Sequence, residues 1–110
     1  MLSETFKKID RLVLQSEHLS DSEKNELIEL VNQLKDELDT VSDVYNDHVQ
    51  SIANFAHSSA HETLSTTSDN ELKELSFKGL NKSIRKFEVS HPNLTTVISL
   101  ISRTLSRLGV

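Results

Sequence analysis

Between residues 27 and 45 the apolar side chains fall at Leu27, Val31, Leu34, Leu38, Val41 and Tyr45, in steps of four, three, four, three and four. That spacing is the seam of a coiled coil or a narrow helix bundle. A helix with one narrow apolar stripe must bury it against another helix, so these six residues form a candidate self-association seam. No Gly or Pro interrupts residues 21–57. The pattern therefore predicts one helix over that span, a rod of about 55 Å at about 1.5 Å per residue. A compact chain of this size has a radius of gyration of only about 13 Å. The expectation is an elongated molecule, paired as a homodimer along the seam. Beyond Tyr45 the stripe passes to Val49, Ile52 and Ala56, and two consecutive steps of four make a stutter, a local unwinding of the supercoil.

The rest of the chain fits an all-α fold, a helical hairpin or small bundle in one domain of 110 residues. With two Gly and one Pro, turns must be few. A β-sandwich or barrel would need turn signals every 8–12 residues or about that. A 35% hydrophobic content with 5% aromatic residues supports a modest core of Leu, Ile and Val. The lack of cysteine removes disulfides, thiolate metal sites and a Cys nucleophile, and it fits a reducing cytoplasm. The first ten residues, MLSETFKKID, carry no continuous apolar run, so no signal peptide is expected.

Local signals place four helices, at about 3–16, 21–57, 70–89 and 92–108. Phe6, Ile9, Leu12 and Val13 share a face of the first, with Ser3 as candidate N-cap. Ser20 followed by Glu23 is a capping box, preceded by Leu19 as a staple. Residues 57–70, HSSAHETLSTTSDN, lose the apolar pattern and read as a polar linker, the segment expected to be most mobile. Asp69 or Ser68 can cap the third helix, whose stripe is Phe77, Leu80, Ile84 and Phe87. Leu72 and Leu75 extend it less regularly, and Gly79 falls off it. Pro92 suits the first turn of the last helix, which carries Leu94, Val97, Ile98, Ile101, Leu105 and Leu108 on one face and ends at Gly109.

The tract Phe87-Glu88-Val89-Ser90-His91-Pro92, followed by Leu94-Thr95 and by the ending Leu105-Ser106-Arg107-Leu108-Gly109-Val110, resembles the C-terminus of DUF4404. This is a family of short bacterial proteins catalogued as a domain of unknown function. The resemblance covers about residues 77–110. It implies a small helical protein and no particular activity. The His/Ser/Thr-rich stretch at 57–70 departs from the compact form associated with the family.

Charge divides the chain. Residues 1–77 hold six Lys/Arg against sixteen Asp/Glu, a net of −10, and residues 78–110 hold six against one, a net of +5. Basic C-terminal helices lying beside acidic ones explain this simply. Lys78, Lys82, Arg85 and Lys86 form the alternative, a candidate anion-binding set. Phe77 and Phe87, interleaved with them, belong to the core stripe, which argues against nucleic acid. The last helix is amphipathic but lacks the interfacial Trp and Lys of a membrane anchor.

Three histidines invite a metal reading: His57 and His61 share a helix face, and His48 is compatible with the same side. Two such ligands are too few for a closed site, and HSSAHE is not the H-E-x-x-H motif. His91 sits at a helix start beside Ser90, with no Gly-x-Ser-x-Gly elbow around it. The expectation is a non-catalytic interaction or scaffolding protein acting through helix–helix contacts. No cofactor, no metal and no catalytic residue is assigned. The alternative is a module for an anionic partner, bound through residues 78–107.

Overall fold

Ser20 and Glu23 cap each other as their spacing predicts. The Glu23 N–H donates to Ser20 Oγ at 3.1 Å, and the Ser20 N–H donates to Glu23 Oε1 at 2.8 Å. Two backbone donors that a helix start leaves unpaired are thereby satisfied. The bonds from the Ser20 backbone, and then its hydroxyl, hold the Glu23 carboxyl below the usual carboxylate range. The computed structural model describes residues 2–65 and 69–108. It contains helices α1 (Leu2–Gln15), α2 (Asp21–Asp39), α3 (Asn46–Leu64), α4 (Asn70–Ser83) and α5 (Pro92–Leu108), and 3-10 turns at Asp43–Tyr45 and Arg85–Phe87. No strand occurs among the described residues.

The expected helix over 21–57 is two helices. Thr40 stops α2: its hydroxyl donates to Glu37 O at 2.6 Å and its N–H to the same oxygen at 3.1 Å. The Val41 N–H turns back to Leu38 O at 3.1 Å, which tightens the last turn. Asp36, Glu37 and Asp39 crowd the negative end of α2 with no basic residue in the last turn. Ser42 is extended, with ψ of 144°. The break coincides with the irregular spacing at 41–45–49. It folds the rod back on itself, so the molecule measures 38 × 26 × 23 Å with a radius of gyration of 13.0 Å. The expected elongation is thus corrected.

Helix α3 packs between α1 and α4, and α2 packs mainly on α5 and on α1. Two layers result, α1–α3–α4 and α2–α5, with the core between them. Leu27, Val31, Leu34, Leu38 and Val41 all point into that core and none is more than 7% exposed. The seam is therefore satisfied within one chain. Tyr45 is not part of it: it lies in the 3-10 turn, partly exposed.

The polar linker is shorter than its composition suggests. Helix α3 continues to Leu64 and buries Ala56, Ser59, Ala60, Thr63 and Leu64. Small side chains let neighbouring helices approach closely, and a serine can take such a position when its hydroxyl stays within the helix surface. Gln50 Nε2 donates to Thr5 Oγ1 at 3.1 Å, tying α3 to α1. Asp69, one of two candidate caps, accepts from the Glu71 N–H at 2.9 Å and the Leu72 N–H at 3.2 Å. Ser68 and the expected helix end at Gly109 lie outside the described residues.

Two further boundaries move. Ser3 lies inside the first turn of α1 rather than capping it. The third helix stops at Ser83, whose hydroxyl donates to Leu80 O at 2.7 Å, and residues 85–87 form the 3-10 turn. Pro92 opens α5 as expected, and the apolar stripe from Leu94 to Leu105 is buried.

Candidate functional site

The F-E-V-S-H-P tract builds one end of the bundle. Phe87 is buried there and meets Tyr45 edge-on with centroids 5.6 Å apart. His91 stands edge-on to the same ring at 5.7 Å, and His48 at 6.4 Å. The His91 N–H donates to Phe87 O at 2.7 Å, closing the turn between α4 and α5. Lys86 lies across this cluster. Its ammonium is 5.1 Å from the Tyr45 ring centre and donates to His48 Nε2 at 3.1 Å. The ammonium over the Tyr45 ring is a cation–π contact. The tract thus clamps the α2–α3 connection against the α4–α5 connection. Ser90 Oγ and His91 Nδ1 are 2.9 Å apart, but both belong to this exposed turn. No carboxylate orients His91 among the contacts of the described residues, as a nucleophile–base pair would require.

The other candidate residues are dispersed. Lys78 and Lys82 are exposed on α4 and Arg85 on the 3-10 turn that follows it, and none is ion-paired among the described residues. Lys78 also faces an open groove of about 590 Å³ shared with Glu74, Asn81, Ser102 and Arg103. The simple reading of the charge division is met at a different point, where Arg107 on α5 donates to both carboxylate oxygens of Glu26 on α2 at 3.0 and 3.1 Å. The His57 and His61 rings on α3 are tilted by 40° with centroids 6.4 Å apart, and His61 Nδ1 lies 3.4 Å from Glu62 Oε1. Burial lowers the His57 pKa, and the nearby charges of His61 and Lys8 lower it further. His48 is not with them but at the Phe87 end. Among the described residues no group of three or more His, Cys, Asp or Glu is arranged to hold a metal. The space left between Ile9, Leu34 and their neighbours in the core is about 10 Å³, too small for more than a single water.

A third feature escapes the sequence reading. Phe55 lies off the Val49–Ile52–Ala56 stripe and packs over α4 at Gly79. A Cβ on Gly79 would fall within 2.7 Å of three carbons of that ring. Gly79 is therefore the seat of Phe55. Leu75 precedes Gly79 by four residues and Leu72 by seven, so all share one side of α4. Leu75 is 55% exposed, Leu72 49% and Phe55 37%. The available signal was a pair of exceptions, an aromatic residue and a glycine each off its stripe in consecutive helices.

Residues 27–110 match DUF4404, a domain of unknown function. The chain belongs to this family. The match runs through α2, the Ser/Thr-rich end of α3 and the F-E-V-S-H-P tract, and so extends well beyond residues 77–110. Residues 57–70 lie inside the matched region. No curated protein and no solved structure matches the chain. Among the described residues no helix is long and apolar enough to cross a membrane.

Proposed function

We propose that the protein is a non-catalytic interaction module that receives an amphipathic helix on its outer α3–α4 face. The observation that carries this reading is the joint exposure of Phe55, Leu72 and Leu75 around Gly79. Singly exposed apolar residues are ordinary, but neighbouring ones on one face mark a contact surface. Leu72 and Leu75 at i and i+3 of α4, with Phe55 of α3 seated over Gly79 at i+7, fit helix-against-helix recognition. The chemistry-bearing side chains support a non-catalytic role by their separation: Ser90 and His91 lie at the Phe87 end, and His57 and His61 lie toward the far end of α3. The test is the size of the protein's complexes in native extract, with Leu72→Ser/Leu75→Ser as comparison. The wild type is expected to migrate above its own mass and the variant to fall back toward 12.4 kDa. Equal migration of both as the isolated chain overturns the reading.

A second reading, an anion-binding module, is favoured by the exposed and ion-pair-free Lys78, Lys82 and Arg85. Binding of this kind weakens with salt, because each contact releases counterions. Salt-dependent retention on heparin, lost in Lys78→Ala/Lys82→Ala, would favour it over the helix-docking reading.

A further inference from the structure

Helix α4 carries its outward charges in two blocks. Glu71 and Glu74 are the exposed charges of its first half, with Lys73 half-buried between them and off their side of the helix, and Lys78 and Lys82 are those of its second. All four are exposed, and none joins an ion pair among the described residues. Glu71, Leu75, Lys78 and Lys82 follow one another in steps of four, three and four, so they make a single stripe along the solvent side. Leu72, Leu75 and Phe55 supply the apolar surface beside that stripe.

A stripe whose sign reverses at its midpoint is complementary to itself when turned end for end. We infer that the outer face of α4 pairs antiparallel with α4 of a second copy of this chain. The inference rests on the helix-docking reading above and names its partner. Across a two-fold axis near Ser76–Phe77, Glu71 of each copy stands opposite Lys82 of the other. Leu75 stands opposite the methylene stem of Lys78, and Glu74 lies near the same ammonium. Every pair occurs twice, as an isologous contact demands. A parallel arrangement would oppose like charges and is disfavoured, as are offset registers that set Glu71 beside Glu74. The antiparallel arrangement also opposes the two helix dipoles. The seam on α2 is not available for this purpose, because its residues are already buried in the core.

Charge exchange tests the pairing. The variants are Glu71→Lys/Glu74→Lys, which makes all the exposed charges of α4 basic, and Lys78→Glu/Lys82→Glu, which makes all of them acidic. All four positions are exposed, and circular dichroism checks that the helical content is kept. Sedimentation equilibrium should find the wild type in a monomer–dimer equilibrium, with a dimer of twice 12.4 kDa that weakens as salt rises. Each variant alone should associate at least about tenfold more weakly, and an equimolar mixture of the two should recover the dimer. A wild type that stays monomeric at high micromolar concentration overturns the inference. So do variants that dimerise as well as the parent, or a mixture that does not recover. If the purified chain is monomeric while the extract complex still depends on Leu72 and Leu75, only the second-copy inference falls. If neither association is found, both it and the docking reading fall.

Discussion

Helices α2 and α4 are both amphipathic, yet they spend their apolar residues differently. Helix α2 buries Leu27, Val31, Leu34 and Leu38, whereas α4 buries only Ser76 and Leu80 among its fourteen residues and leaves Leu72 and Leu75 outside. The better heptad seam is the one already filled, and the poorer stripe is the one left for contact. Regularity of spacing measures how much of a helix must be covered. It carries no information on whether the cover comes from the same chain.

The widest separation between the two helices should come from placing a charge on each. Leu34 is 0% exposed. Leu34→Asp leaves an unpaired charge and a void, a loss above the 2–5 kcal/mol or so of a Leu→Ala change, and comparable with the whole stability of a small domain. Leu75→Asp should alter stability by only about 0.5 kcal/mol. Urea melts of the two variants check this. Similar losses would break the contrast.

Local stability should differ next. With few buried apolar residues, α4 leans on its cap, and Asp69→Ala should cost about 1 kcal/mol. Hydrogen exchange is expected to open the amides of α4 before those of α2, and to open them further in that variant. Equal protection in both helices would mean that the core holds α4 as firmly as α2.

Helix α3 gives a change of opposite sign. Ser59 is fully buried, and its hydroxyl has no hydrogen-bond partner among the described residues. Ser59→Ala removes that orphan group and improves helix propensity, so stability should rise by about 1 kcal/mol. A fall would show that the hydroxyl is satisfied in solution.

The smallest effect is a pH dependence. Burial, then His61 and Lys8, depress the His57 pKa in the folded protein below the ordinary imidazole value of about 6.5. The unfolded chain therefore binds the proton more readily. The stability that follows is present above that ordinary value and is lost as pH falls through the folded pKa. The melting temperature should decline slightly below about pH 6.5, and His57→Gln should flatten the decline. An unchanged slope in the variant would assign the dependence to other groups.

The candidate surface was only partly legible before folding. Lys78, Lys82 and Arg85 were visible as a basic set, and they are exposed. Lys86 belongs with them by sequence but is drawn into the Tyr45–His48 cluster, because the α2–α3 turn brings an aromatic face within reach. Leu72 and Leu75 appeared only as irregular extensions of a core stripe. Phe55 was not singled out, since its seat on Gly79 joins residues twenty-four positions apart.

By itself the sequence determined the all-α class, the Ser20–Glu23 capping box, the choice of Asp69 or Ser68 as cap of α4, the start of α5 at Pro92 and the buried faces of α2 and α5. Each of these is decided by groups within about four residues of one another, through capping bonds or the turn of a single helix. Tertiary structure alone decided that the seam of α2 is covered from within the chain and that Ser59 and Thr63 lie inside the bundle. It also decided that Phe55 rests on α4. Periodicity states which face must leave water, but the surface that receives it is set by how the helices stack across the break at residues 40–45.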